Sequence, residues 1–309
     1  MAMTYLKLLL TAIFWGGTFI AGRMLAAHVQ PFSAAFLRFS VAAILLLMVL
    51  YRRNGRLPGL PRPLWLPVLL LGLSGVFCYN FLFFWGLQTV PAGRAAVIIA
   101  NNPVIIAVGA ALIFGHRLGW VKSMGVLLSV SGAILAISRG HLASLFSGGL
   151  AWGDLLIFGC VLSWATFSLI GKTVLDRITP LAAITYASVI GALLLLVPAL
   201  LEGLVHQAVA CSILDWVNIV YLGLFGTVLG FVWYYEGIEK IGPTRSALFI
   251  NFVPLSAMAM AYVILAEPVS WSLAMGTVLV IGGVYLTNNG LNKPWRRNKT
   301  AAMAAHPTG

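Results

Sequence analysis

Polar and aromatic side chains set inside long apolar runs are where this sequence could do chemistry, because ionisable and hydrogen-bonding groups are costly in hydrocarbon. Arg38 lies about seven residues into such a run, roughly 10 Å deep at 1.5 Å per residue. It could hold the carboxylate of a solute, or it could snorkel to the headgroups or bond a loop. Asn101-Asn102-Pro103 is a sharper signal. Pro103 frees a carbonyl one turn earlier and can kink its helix, leaving two adjacent carboxamides beside an open backbone group. Asn251, shortly before Pro254, is the near-equivalent later in the chain. The competing reading is that these asparagines only satisfy the interrupted backbone. Asn80 needs either a partner on another helix or water in a cavity, and Tyr79 and Phe83 share its run.

Trp15, Thr18 and Gly22 fall on one helical face at i, i+3 and i+7, and Trp164, Phe167 and Gly171 repeat that spacing. Tyr234 and Tyr235 add two further rings. Aromatic walls with carboxamides suit a small zwitterion with an apolar side chain. The expected solutes are neutral amino acids, aromatic or aliphatic. Helix packing or contact with lipid is the competing reading for the rings. Arg94 and Arg245 open their runs and read as interface anchors.

Signals for bond-breaking chemistry are missing. Gly171-Lys172-Thr173 ends like a phosphate-binding loop, but Thr166 stands where the first glycine belongs. There is no HExxH, no GxSxG and no paired acid, so no catalytic residue, cofactor or metal is expected. Cys78, Cys160 and Cys211 have no CxxC spacing. The acids Asp154, Asp176, Glu202, Asp215, Glu236, Glu239 and Glu267 fall near the ends of runs or between them. Without an acid at mid-membrane, where proton relays usually rest, a facilitator is expected. His116 and Glu267 remain able to titrate near the surfaces.

The elements that must position these residues follow from composition. Of 309 residues 61% are apolar and 8% charged, with a mean hydropathy of +1.00. Soluble domains carry about 25% charged residues, so a soluble fold is excluded. Apolar runs fall at 4–24, 32–51, 64–89, 92–114, 119–138, 151–175, 181–201, 214–238, 244–266 and 271–290. A span takes about 20 residues, so an all-α membrane protein with ten transmembrane helices is expected. The first run reads as a spanning helix and not as a cleaved leader. With a cytoplasmic N-terminus, fifteen of the nineteen Lys and Arg fall on that side, and Arg23, Arg94 and Arg139 on the other. Basic residues favour the cytoplasmic face, so both termini are expected there, in a multi-pass protein of the cell (inner) membrane. The net charge of +12 is then a topology device beside anionic lipid and not a nucleic-acid patch.

The chain also repeats itself. At an offset of 149, Trp15 meets Trp164, Gly22 meets Gly171 and Pro31 meets Pro180; at 151, Gly86 meets Gly237, Arg94 meets Arg245 and Trp120 meets Trp271. Two five-helix units are expected at 1–147 and 148–291, followed by a basic cytoplasmic tail, 292–309, expected to be disordered. Five is odd, so the second unit must cross in the opposite sense, as inverted repeats in secondary transporters do.

Gly242-Pro243-Thr244-Arg245-Ser246-Ala247, Pro254, Ala266-Glu267-Pro268, Trp15-Gly16-Gly17-Thr18 and Leu37-Arg38-Phe39 carry a family resemblance. Over about residues 4–290 the chain resembles EamA-type transporters of the drug/metabolite transporter superfamily, most like the YddG-type bacterial amino-acid exporters. The resemblance implies ten helices, an inverted 5+5 repeat and export or facilitated movement of small metabolites. One departure is His116, where the family usually closes the fourth helix with glutamate. The expectation is thus a secondary transporter working by alternating access, with a small-molecule solute and the bilayer as partners. A monomer is expected, although Gly226-x-x-x-Gly230 is compatible with dimerisation. The alternatives are an uncoupled channel, a structural membrane protein or a membrane-embedded enzyme.

Overall fold

The computed structural model describes residues 2–114, 119–138, 151–175, 177–241, 246 and 249–289. His116, Arg139, Asp176, Arg245, the expected boundary near 148 and the tail lie outside these. Every described element is helical: α1 (Ala2–Ala26), α2 (Pro31–Asn54), α3 (Arg62–Leu87), α4 (Ala92–Ile113), α5 (Trp120–Ile137), α6 (Trp152–Leu175), α7 (Pro180–Leu201), the short α8 (Leu204–Ala210), α9 (Ile213–Ile238), α10 (Phe252–Leu265) and α11 (Trp271–Asn289). Eight of these, α1–α7 and α9, are long and apolar enough to cross a membrane; α10 and α11 carry shorter apolar stretches.

Local chemistry sets the starts. Pro31 and Pro180 open α2 and α7 in the first turn, where a missing N–H costs nothing. Thr179 also caps α7 by accepting from the Ala182 N–H at 3.3 Å. Ser212 and Asp215 form a reciprocal capping box on α9. Gly55 ends α2 at φ 68°, a left-handed turn that costs glycine little.

Two helices are interrupted at matching places. α3 runs as a π-helix over Gly72–Cys78, and α9 over Leu222–Leu229. α4 breaks at Ala100 and Asn101, and a turn at Asn251 precedes α10. Packing between the N- and C-terminal helices is paired in the same way. A Cβ added to Gly72 would stand 3.0 Å from the Ala187 carbonyl, and one added to Gly223 would stand 3.0 Å from the Arg38 carbonyl. Where α5 crosses α11, a Cβ on Gly125 or on Gly276 would stand 2.7 Å from the carbonyl of Gly283 or Gly132 respectively. Small residues let these backbones approach where lipid offers no hydrophobic drive.

The main core joins α1, α2, α3, α4, α6, α7, α9 and α10 through residues such as Phe19, Leu25, Phe84, Ile157, Leu195 and Ile219. The outside is apolar too, with Leu201, Ile213 and Val263 all largely exposed. Trp120 and Trp271, which open α5 and α11, stand exposed as rings do at membrane interfaces.

Candidate functional site

Aromatic rings from both parts of the chain meet where α1 and α6 pass α3 and α9. Phe231 lies between the tryptophans, 5.7 Å from Trp15 and 6.0 Å from Trp164 between centroids. Trp164 reaches Tyr79 at 5.6 Å, and Tyr79 stacks on Phe83 at 5.9 Å. On the other side Trp15 meets Tyr234 at 5.4 Å, and Tyr234 meets Tyr235 at 6.3 Å. The π-segments place the rings: Tyr79 is the first residue after one, and Gly230, against which Trp15 lies, the first after the other. Such segments recur at functional sites because they re-aim the following turn.

A polar group adjoins the rings. Arg38, on α2, is 8% exposed. Its Nη1 donates to Asn80 Oδ1 at 2.8 Å and its Nη2 to Thr227 Oγ1 at 3.4 Å, while its Nε–H has no partner among the described residues. Asn80 in turn donates to the Val76 carbonyl at 2.8 Å. Thr18 is buried, donates to the Trp15 carbonyl at 2.6 Å and packs against Gly226. Nine of the residues singled out from sequence therefore lie in one connected cluster: Trp15, Thr18, Arg38, Tyr79, Asn80, Phe83, Trp164, Tyr234 and Tyr235.

The remaining three lie elsewhere. Asn101 donates to the Val97 and Ile98 carbonyls, both at 3.2 Å, and accepts from Ser129 Oγ at 2.7 Å, which closes the backbone opened at the α4 break. Asn102 is half-buried with its Oδ1 unpaired, and Asn251 is half-buried at the start of α10. No hydrogen bond joins any of the three to the aromatic cluster among the described residues.

The acids hold helix ends together. Glu202 accepts from Phe32 N, Ser33 N and Ser33 Oγ at the start of α2, and Glu267 from Ala92 N and Gly93 N at the start of α4. Carboxylates are favourable at helix N-termini, where backbone N–H groups point outward. Glu236 binds both Lys7 and Arg53 at 2.8 Å, tying α9 to α1 and α2. Arg94 corrects its reading as an interface anchor. It is buried and paired with Asp154, itself 1% exposed, because α4 and α6 pack over it and leave a carboxylate as its partner. Two depressions of about 350 Å³ each, one beside Arg23, Gln88 and Glu267 and one beside His28, Glu202 and His206, lie at helix ends away from the rings.

Phe231 and Thr227 were not singled out from sequence. The repeat held the signal, since Phe231 stands one offset of 151 from Asn80, and Thr227 the same offset from Val76, whose carbonyl Asn80 binds.

The model of the EamA-like transporter family matches residues 2–138 and again residues 151–289. The chain belongs to that family and is a membrane transporter, not an enzyme. It is 31% identical over 287 residues to "Uncharacterized transporter YyaM" of Bacillus subtilis (strain 168), covering 93% of each chain. It is 30% identical over 285 residues to the "Probable terminal-alkyne amino-acid exporter" of Streptantibioticus cattleyicolor, covering 91% of this chain and 92% of the other. A crystal structure aligns with a TM-score of 0.64 at 20% identity, over 94% of this chain and 99% of its own, and shares the fold.

Proposed function

We propose that this protein is a secondary transporter that moves small solutes with an acid head group and an apolar side chain, neutral amino acids among them, across a bacterial cell membrane. The observation that carries the reading is the cluster of Trp15, Tyr79, Trp164 and Phe231 beside Arg38, assembled from helices of both parts of the chain. Aromatic faces supply an apolar wall, and Arg38 with Asn80 and Thr227 supplies the polar end. A relative named as an amino-acid exporter adds support for the solute class. Asn102 and Asn251, near the helix breaks, are secondary candidates along the path.

In this reading ten helices cross the membrane as two inverted five-helix halves, divided near residue 148, with both termini cytoplasmic. The paired glycine contacts and the paired π-segments support a two-fold relation between the halves. Two packings, one open to each side, follow from that relation, and exchanging them moves the solute. The transporter works as a facilitator, because the described acids are engaged at helix ends.

Counterflow in proteoliposomes with radiolabelled L-phenylalanine and L-leucine tests the reading. Saturable counterflow that Trp164→Ala and Tyr79→Ala reduce supports it. Ohmic conductance without saturation would assign a channel instead, and transport unchanged in both variants would move the site away from the rings.

A further inference from the structure

Two cations are buried among the described residues, Arg38 and Arg94, and they differ in what surrounds them. Arg94 has Asp154, and at the helix ends Lys7 and Arg53 share Glu236. Arg38 is equally buried, yet among the described residues its bonds go to a neutral amide and a neutral hydroxyl. Neutral dipoles solvate a guanidinium but do not neutralise it, and a buried charge without a counter-ion is costly. Of the acids whose side chains are described, Asp154, Glu202, Asp215, Glu236 and Glu267 are all bound elsewhere.

The cluster thus offers one fixed cation and several aromatic faces, and no described carboxylate. That set is asymmetric toward a zwitterion. The solute's carboxylate gains a forked, charge-assisted partner in Arg38. Its ammonium gains no carboxylate and stands near a like charge, which disfavours it. Aromatic faces attract a desolvated cation, but they supply no counter-charge as a buried carboxylate would.

We infer that the site recognises the acid group of its solute and not the ammonium, so that the protein carries apolar monocarboxylates lacking an amine at least as well as the matching amino acids. The inference rests on the reading of the ring cluster as the solute site. It deepens that reading by making the carboxylate the obligatory feature, supplied as the counter-ion that no described residue gives Arg38.

Competition against L-phenylalanine counterflow tests it, using 3-phenylpropionate, which has the acid and no amine, and L-phenylalaninamide, which has the amine and no acid. The expected result is inhibition by 3-phenylpropionate at or below the concentration at which unlabelled L-phenylalanine inhibits, with the amide weaker by about tenfold or more. Thermal unfolding of the purified protein in detergent gives a second readout. 3-Phenylpropionate should raise the midpoint and the amide should not, and Arg38→Gln, if folded, should abolish the difference. An amide that competes as well as L-phenylalanine, or a 3-phenylpropionate that neither competes nor raises the midpoint, overturns the inference while saturable counterflow leaves the transporter reading standing. Absence of any saturable flux of L-phenylalanine overturns the reading of the ring cluster as a site for amino acids. In that case binding of 3-phenylpropionate through Arg38 still decides the acid preference.

Discussion

Trp15, on α1, donates its indole N–H to the Gly226 carbonyl of α9 across 3.0 Å. The acceptor lies in the π-helical stretch Leu222–Leu229, whose i→i+5 bonding differs from that of the flanking α-helix. The interruption thus supplies a docking point for a ring of the first helix, and Gly230 leaves the room the ring needs.

Trp15→Phe keeps a ring but removes this donor. Loss of one buried hydrogen bond should lower stability by about 1 kcal/mol, with more lost if the carbonyl stays unpaired. Thermal unfolding in detergent measures it, and an unchanged midpoint would mean that the bond contributes nothing.

Asp154→Asn should be far more damaging. It leaves the buried Arg94 guanidinium without its carboxylate, a change that typically costs about 3–5 kcal/mol. The double variant Arg94→Leu with Asp154→Leu should recover part of the loss, since it removes both buried charges together. Unfolding midpoints of the two singles and the double form the cycle that measures the coupling.

Much of the scaffold was legible because the bilayer imposes a simple rule: apolar runs of spanning length must be helices. The runs at 4–24, 32–51, 151–175 and 181–201 match α1, α2, α6 and α7 to within a few residues. Repeat offsets also carried over to packing. Gly86 lies against Ile157 as Gly237 lies against Leu8, two contacts related by the offsets of 151 and 149. The π-segments were not legible, because Gly72–Cys78 and Leu222–Leu229 have the same apolar composition as regular helix. Asn101 looked like a ligand because its type and place fit both roles, and only geometry assigns its bonds to Val97, Ile98 and Ser129. Arg94 misled because a charge opening a run resembles an anchor until its partner, from another helix, is known.

Orientation has its own test. A cysteine replacing Arg56 should react with an impermeant reagent only from the cytoplasm, and one replacing His206 only from outside. Both residues are exposed. The same side for both would refute the odd number of crossings between them.

Glu267 should act as a cap and not as a coupling acid. Its two oxygens accept from Ala92 N and Gly93 N, so Glu267→Gln should cost about 0.3–1 kcal/mol of stability and leave the response to a proton gradient unchanged. Solute flux in vesicles with an imposed pH step measures this. Accumulation above equilibrium in the parent protein that the variant loses would place coupling at Glu267.

Alternating access to the ring cluster is the central claim, and cysteine reactivity at Thr18 measures it most directly. Thr18 is buried between the Trp15 turn and Gly226, where a cysteine fits with little change in size. With Cys78, Cys160 and Cys211 replaced, Thr18→Cys in sealed vesicles of both orientations should react with an impermeant thiol reagent from either face, and saturating solute should slow both reactions. Reaction from one face only, with and without solute, would contradict the account.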